Sequence, residues 1–336
     1  MIKVRKTQKW ACRMTKKTES INPDKCRGDY FYLFIINPRA GRKYMKTLAE
    51  QIEKSFVSAG RKDCYSIVIT DRGGHAIELA GAFADMYGDR GIVVACGGDG
   101  TVGEVAQALY LKDSALAVLP VGTANDFGKT VYPGLTLDQI LKRLQTPRIE
   151  KIDTFFVDDI LCANIMSLGF DTKVQKTASR LLKRYRWLGR CSYPFAIIMS
   201  LFGNRQYNMK YSFETIEADG SSGHISGELN YILAAVCNGR YYGGGFTPAP
   251  LADLQDGMLD LCIVDSINLL GILSLIGRYK KGKHLGHPAI HYHRVRSGYI
   301  ETADSHPLLG NIDGEQFEKT GLSCEIRPSS LNFVFL

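Results

Sequence analysis

The chain has 336 residues, 45% of them hydrophobic, and a formal net charge of +8. That is enough length for a large core and for two domains. The composition is that of an ordinary soluble globular protein, without internal repeats or low-complexity segments, which excludes fibrous and wholly disordered classes. The positive balance suits phosphate-bearing substrates, an anionic membrane surface or nucleic acid, and does not choose among them.

Nine cysteines are scattered without a CxxC pair. Several sit in apolar runs, so they read as buried free thiols in a reducing compartment. No apolar run approaches the ~20 residues of a membrane span. The basic N-terminus lacks the apolar core of a signal peptide. The chain is therefore expected in the cytoplasm, with membrane contact confined to its surface.

Residues 1–29 are polar and rich in Lys and Arg, and are predicted to form a disordered or loosely docked extension. Order begins with the strand Tyr30–Ile36, closed by Asn37-Pro38-Arg39-Ala40-Gly41. Tyr44, Leu48, Ile52 and Phe56 then form one helical stripe, with Gly60 at its C-terminus. Tyr65–Thr70 is a second strand, and Ala76, Leu79, Ala80 and Phe83 mark a second helix. Ile92–Ala95 is a third strand, followed by the turn Cys96-Gly97-Gly98-Asp99-Gly100-Thr101. Val102, Val105, Ala106 and Leu109, spaced for a helix, surround Glu104 in the next segment. Ala115–Leu119 is a fourth strand, Pro120–Asp126 a loop, and Leu137–Leu144 a helix. Strands alternating with helices predict a parallel sheet covered on both faces. Ligands in such sheets gather at the carboxyl ends of the strands, where the three unusual loops lie.

The pattern changes near Ile152. Phe155–Val157 and Ile160–Leu161 read as a hairpin. Ala178–Phe202 looks helical in part and carries Arg180, Lys183, Arg184, Arg186 and Arg190 before the apolar run Phe195–Phe202. Short β-like runs dominate afterwards, which predicts a second, mostly antiparallel domain of β-sandwich type.

The glycine turn carries the first chemical inference. Strand, glycine turn and helix aim backbone N–H groups and the positive end of a helix at an anion. Asp99 is out of place beside phosphate unless a cation such as Mg²⁺ lies between them, so the turn reads as a metal–nucleotide site. Competing patterns fail on context. Gly98-Asp99-Gly100-Thr101-Val102-Gly103 matches the dinucleotide fingerprint, but Pro120 and Val121 stand where its ribose-binding acid belongs. Asp126-Phe127-Gly128 spells the kinase DFG, too close to the glycine loop to bracket a protein-kinase lobe. His284, His287, His291 and His293 fit no common zinc spacing and read as surface or half-buried histidines.

Taken together, Asn37-Pro38-x-x-Gly41, Gly97–Thr101 and Pro120-x-Gly122-Thr123-x-Asn125-Asp126 resemble the diacylglycerol kinase catalytic family. The likeness continues through Asp153, Asn164-x-x-x-x-Gly169-Phe170-Asp171, Gly243–Gly245, Asp256–Asp260 and Asp313-Gly314-Glu315. It implies an N-terminal three-layer α/β nucleotide-binding domain (30–150, with 320–336 returning to it) and a β-sandwich lipid-substrate domain (151–319). It implies transfer of the γ-phosphate of ATP to a lipid hydroxyl, with Mg²⁺. By motif, Asn37, Pro38, Arg39, Ala40, Gly41, Arg42, Thr70, Gly97, Gly98, Asp99, Gly100, Thr101, Glu104, Thr123, Asn125 and Asp126 would hold ATP. Asp99 and Asp153 would organise the catalytic Mg²⁺. Glu315 is the general base in one assignment and Asp313 in another. Asp256, with the carbonyls of Asp253 and Met258, matches a structural Mg²⁺ site.

The residues support this chemistry on their own terms, because phosphoryl transfer needs positioning, charge neutralisation and a carboxylate near the attacking hydroxyl. Arg39, Arg42 and Lys43 stand near the expected phosphates or form a solvated basic face. The acceptor stays open among diacylglycerol, a sphingoid base, ceramide, phosphatidylglycerol and other long-chain alcohols. The basic stretch beside Phe195–Phe202 suits peripheral contact with the inner face of a membrane, equally an ordinary helix with a solvated basic face. A homodimer is compatible with the sequence, and no nucleic-acid partner is expected. The alternatives are an NAD kinase-like or other small-molecule kinase, whose T-G-S-T-A-Y motif is missing, and a non-catalytic nucleotide- or lipid-binding regulator. Retention of Asp99, Asp153, Asp313 and Glu315 argues against the regulator.

Overall fold

A computed structural model of the chain describes residues 21–26, 29–40, 45–185, 192–201, 207–216, 220–304 and 306–336. Of the residues singled out above, Gly41, Arg42, Lys43, Tyr44, Arg186, Arg190 and Phe202 lie outside that set, as do residues 1–20 of the basic extension. Two compact units emerge. The first comprises residues 1–151 and 331–336, the second residues 152–330.

The first unit is built on parallel strands. β1 (Phe31–Ile36) pairs with β2 (Tyr65–Ile69) on one side and β3 (Gly91–Gly97) on the other, and β3 pairs with β4 (Ala115–Pro120). β1 and β3 are buried at every residue. That is why they read as unbroken apolar runs rather than alternating ones. Helices α1 (Met45–Ser58), α2 (His75–Tyr87), α3 (Asp99–Leu109), α4 (Asp126–Val131) and α5 (Leu137–Arg143) connect the strands. Leu48, Ile52 and Phe56 of the expected stripe are all buried. Phe56 sits edge-on to Tyr32 and Phe34 at 4.9 and 5.2 Å. The Tyr32 hydroxyl donates to the Leu144 carbonyl at 2.7 Å, and burial pushes its pKa up to about 12.

The C-terminus completes this unit. The last strand, β14 (Gly321–Phe335), runs parallel to β4 with Phe333 opposite Leu116. The Tyr132 hydroxyl donates to the Val334 carbonyl at 2.6 Å, and the Asn332 amide donates to the carbonyls of Lys112 and Asp113.

The second unit is mostly antiparallel. Its strands are β5 (Arg148–Val157) from Ile152 on, β6 (Ile160–Cys162), β7 (Ile165–Gly169), β8 (Tyr207–Ile216), β9 (Ser222–Cys237), β10 (Leu259–Asp265), β11 (Ile290–Thr302), β12 (Leu308–Ile312) and β13 (Glu315–Lys319), with the first part of β14. The long β9 and β11 change partners along their length. β9 serves β8 with its first half and β7 and β10 with its second, while β11 serves β10 first and then β8 and β14. This switching gives the β-sandwich-like arrangement. One apolar core, with Phe155, Phe213, Val236 and Leu261, lies among the strands. A second lies under α6 (Phe170–Arg184), α7 (Ser192–Leu201) and α8 (Leu269–Lys280).

Three expectations need correction. Cys26 and Cys64 form a disulfide, with Cα atoms 4.9 Å apart. The Asn22 amide bonds the Asp63 carbonyl at 3.0 Å, so residues 21–26 dock and bring the thiols together. Cys96, Cys162, Cys237, Cys262 and Cys324 are buried free thiols as expected. His284 is fully buried, its Nε2 meeting the Pro248 carbonyl at 3.1 Å, and burial lowers its pKa. β12, β13 and α8 add elements that the apolar pattern did not signal.

Candidate functional site

In the first unit the expected loops meet. Asn37 ends β1, and its side-chain amide donates to the Thr101 hydroxyl at the start of α3, 3.0 Å away. The Asn37 side-chain oxygen also accepts the Arg39 amide at 2.9 Å, a local turn that holds the Pro38-Arg39-Ala40 segment. Thr70 closes β2, its amide on the Ile36 carbonyl. Together Asn37, Pro38, Arg39, Thr70, Thr101 and Glu104 line a polar cavity of about 160 Å³.

Asp71, Arg72 and Gly73 also line that cavity and were missed from the sequence, where only Thr70 stood out. The rule that ligands collect at strand carboxyl ends applies equally to the loop after β2. Glu104 reaches the amides of Gly74 and Ala76 at 3.2 and 3.3 Å. Its carboxylate therefore caps the N-terminus of α2 and is committed before any ligand arrives.

The glycines permit close main-chain approach. A Cβ on Gly122 would lie 2.4 Å from the Cα of Gly98, and one on Gly97 would lie 2.3 Å from the Thr101 hydroxyl. The Gly97 carbonyl accepts the amides of Val121 and Gly122 at 3.2 and 3.1 Å. The third loop is thus stitched to the glycine turn. Asn125 holds the loop from inside, at φ +54°, with its amide on the carbonyls of Pro120 and Gly122. Asp126 is buried and paired with Lys129 at 2.8 Å. Gly98 caps α3 in extended conformation, Gly100 is open, and Thr123 is exposed. Asp99 Oδ1 accepts the Phe127 amide at 2.9 Å.

The second unit holds the other acids, each gripped by backbone. Asp153 is almost fully buried; its Oδ1 accepts the Ser329 amide at 2.6 Å and its Oδ2 the Gly257 amide at 2.7 Å. Burial nevertheless raises its pKa, against the pull of those two amides. Asp313 sits at φ +45° and receives three amides, from Ala163, Asn164 and Ile165, at 2.7 to 3.3 Å. Burial raises its pKa too. The Asn238 amide bridges the carbonyls of Asp153 and Ala163, linking the chain segments that carry both grips. Glu315, two residues beyond Asp313, is exposed at the start of β13.

Asp256 accepts the Met258 amide at 2.9 Å and pairs with the Arg294 guanidinium. Asp253 accepts the Gln255 amide at 3.0 Å. Asp153 and Asp253 both push the Asp256 pKa up, after burial itself. Among the described residues no three His, Cys, Asp or Glu side chains converge on a metal position. In this structure the Asp256 carboxylate is taken up by the Met258 amide and the Arg294 guanidinium. Asp99 fits a nucleotide-borne Mg²⁺, which takes one or two protein carboxylates and fills its shell with phosphates and water.

Residues 32–157 match the family described as the diacylglycerol kinase catalytic domain. Residues 164–335 match the YegS C-terminal NAD kinase beta sandwich-like domain. A protein of Pseudomonas putida named "Probable lipid kinase YegS-like" is 33% identical over 244 residues, 71% of this chain and 75% of that protein. A Xanthomonas campestris protein of the same name is 34% identical over 235 residues, 66% of this chain and 72% of its own. The fold is similar to the crystal structure of a diacylglycerol kinase from Bacillus anthracis, with TM-score 0.65 and 21% identity over 91% of this chain and 97% of that one.

Proposed function

This chain belongs to the lipid kinase family built on the diacylglycerol kinase catalytic domain, and we propose that it transfers the γ-phosphoryl group of ATP to the hydroxyl of diacylglycerol or a related long-chain lipid alcohol. The observation that carries the proposal is the polar cavity of the first unit, where Asn37 and Thr101 are hydrogen-bonded and behind which Gly97 of the glycine turn packs on Thr101. Small residues leave main chain accessible to phosphate, and the N-terminus of α3 favours its charge. Arg39, exposed beside Asn37, adds a cation.

In the reaction, the lipid hydroxyl oxygen bonds to the γ-phosphorus as the bond to the β–γ bridging oxygen breaks. ADP leaves and the hydroxyl proton passes to a carboxylate. Glu315 is the proton acceptor in this reading. Asp313 holds three amides and is the positioning residue that sets the turn carrying Glu315. Mg²⁺, when bound through Asp99, would neutralise charge on the phosphates. Asp153 is likewise a positioning residue, tying residues 257 and 329 together.

Membrane contact is part of the same proposal. Phe195, Ile198 and Met199 of α7 and Leu270 and Leu273 of α8 are exposed, and α6 exposes Arg180 and Arg184. Apolar side chains beside cations suit an anionic lipid surface. Among the described residues no helix is long and apolar enough to cross a membrane.

Incubation of the chain with radiolabelled ATP and a lipid panel tests the reaction. Wild type is expected to label at least one lipid alcohol, and Asp99→Ala to lose most of that activity. Absence of label in every lipid overturns the kinase reading, and equal activity of the two overturns the role of Asp99.

A further inference from the structure

Two cysteines of the first unit stand apart from the others. Cys96, Cys162, Cys237, Cys262 and Cys324 are buried thiols, each within a strand. Burial pushes all five up, that of Cys262 to about 12, so they carry almost no thiolate at neutral pH. Cys26 and Cys64 lie outside the strands. Cys64 directly precedes β2, Cys26 sits in the chain that enters β1, and the two are bonded.

The two ends of that bond are held differently. Cys64 is buried; its carbonyl accepts the Tyr32 amide at 2.9 Å, and its amide donates to the Arg61 carbonyl at 3.1 Å. Main chain therefore keeps it in place whether or not its sulfur is bonded. Cys26 is half-buried and ends the segment 21–26, in which no residue is buried and Pro23, Asp24 and Lys25 are exposed. The amides of Lys25 and Cys26 turn back to the Asn22 carbonyl at 3.1 and 2.9 Å, and the Asn22 amide reaches the Asp63 carbonyl at 3.0 Å. A segment that buries no side chain gains little from the hydrophobic effect, and exposed backbone bonds open readily. The disulfide is thus its strongest fastening. Further along, Arg90 Nε donates to the Asp29 carbonyl at 2.9 Å, which marks where an unfastened chain would be held next.

We infer that Cys26 and Cys64 are a reversible thiol–disulfide site, which fastens the amino-terminal segment to the first unit when oxidised and releases it when reduced. The inference is independent of the reaction proposed above. Its co-reactant is a soluble thiol–disulfide couple of the glutathione class. In closing, the Cys26 thiolate attacks one sulfur of glutathione disulfide and a glutathione thiolate leaves. The Cys64 thiolate then attacks the Cys26 sulfur of the mixed disulfide and expels the second glutathione. Two protein thiols lose two electrons and two protons, and one glutathione disulfide becomes two glutathione thiols. Opening is the reverse, and it begins at Cys26, the more accessible sulfur.

The bond has two consequences for the chain. It joins residues 38 positions apart and so closes a loop that contains β1, the Asn37 turn and α1. Opening it returns conformational freedom to the unfolded state of that loop. It also moves the root of the basic extension from Asn22 to Asp29, which adds about 25 Å to the reach of the residues before it when extended.

The test holds the full chain in reduced glutathione alone or in glutathione disulfide alone and compares wild type with Cys26→Ser. Acid quenching, alkylation in denaturant and peptide mass spectrometry read the two sulfurs. Reduced glutathione is expected to open the bond, with both thiols appearing together, and glutathione disulfide to re-form it. Tryptic cleavage after Lys25 should be several-fold faster in reduced than in oxidised wild type. The melting transition of the first unit should fall by about 5 °C or more on reduction. Cys26→Ser should match reduced wild type in both buffers. Thiols that stay reduced in glutathione disulfide overturn the inference, as does a bond that survives reduced glutathione, which is then a permanent fastening. Equal cleavage and melting of the two wild-type states overturn it too, and so does a Cys26→Ser protein that still responds to the buffer. The comparison of the two wild-type states decides even if the variant folds poorly.

Discussion

The two units build their polar centres by opposite means. In the first, the centre is made of small residues that let loops approach: Gly98 against Gly122, Asn37 against Thr101. In the second, the centre is made of acids whose oxygens are already occupied: Asp153 by two amides, Asp313 by three. The first arrangement leaves room for a ligand's charge, and the second uses charge to organise the chain. An acid in a catalytic-looking motif is therefore not automatically a reacting group. Its partners decide whether it reacts or holds its neighbours.

The sharpest way to break this comparison is to exchange Asp313 and Glu315 as targets. Glu315→Gln is expected to lower kcat by about 10²–10⁴-fold, the usual weight of a general base, with no change in urea midpoint because the side chain is exposed. Asp313→Ala is expected to cost about 3 kcal/mol or more in stability, since three amides lose their acceptor. An Asp313→Ala protein as stable as wild type would show that the grip is incidental. Parallel urea melts and initial rates on the two variants make the distinction.

Next in size is a pH effect in the second unit. Asp260 is buried, its Oδ1 accepting the Tyr292 hydroxyl at 2.7 Å, and burial raises its pKa from the usual 3.8 to about 6. Asp256 adds to that rise, while Tyr292, Arg294 and Arg240 oppose it. A raised carboxyl pKa means the folded chain keeps its proton longer than the unfolded chain. The associated stability is full below about pH 4 and is lost as pH rises through about 6, a loss of about 3 kcal/mol over two units. Urea midpoints measured from pH 4.5 to 7.5 should fall more in wild type than in Asp260→Asn. Parallel curves would remove Asp260 as the source.

Smaller again is the steric prediction for the first unit. Gly122→Ala pushes a Cβ against the main chain of Gly98, for an expected loss of about 1–3 kcal/mol and weakened ATP binding. Gly100→Ala meets nothing within 4 Å and should leave stability within about 0.5 kcal/mol of wild type. Thermal melts with and without ATP separate the two, and equal melting points would deny the close approach its importance.

The legibility of the chain follows the same division. β1, β3 and β4 were readable because strands buried on both faces are continuous apolar runs, and their loops announced themselves by Gly, Asn and Pro at strand ends. β12 and β13 were not, since Leu308–Ile312 alternates buried and half-buried residues and Glu315–Lys319 is largely polar. α8 was hidden because Leu270 and Leu273 face outward, which blurs the helical period. The grips on Asp153 come from residues 104 and 176 positions away and those on Asp313 from residues about 150 positions away, too remote for any local pattern. The Cys26–Cys64 bond was missed for the same reason, because docking of residues 21–26 beside Asp63 is a tertiary event.

The smallest effect belongs to the exposed apolar side chains of α7 and α8, whose proposed partner is a membrane surface. Phe195, Ile198 and Leu270 are each more than half exposed, so replacing one by Glu should hardly alter the fold. It removes one apolar side chain from the lipid interface and adds a like charge facing anionic headgroups, a change of about 1 kcal/mol or more. Co-sedimentation with phosphatidylglycerol-containing vesicles should therefore fall several-fold for Ile198→Glu, and less for Arg184→Glu, whose contribution is screened by salt. Activity on a micellar short-chain acceptor should stay near wild type in both. If both variants sediment with vesicles as wild type does, these helices face water, and the cations on α6 are an ordinary solvated surface.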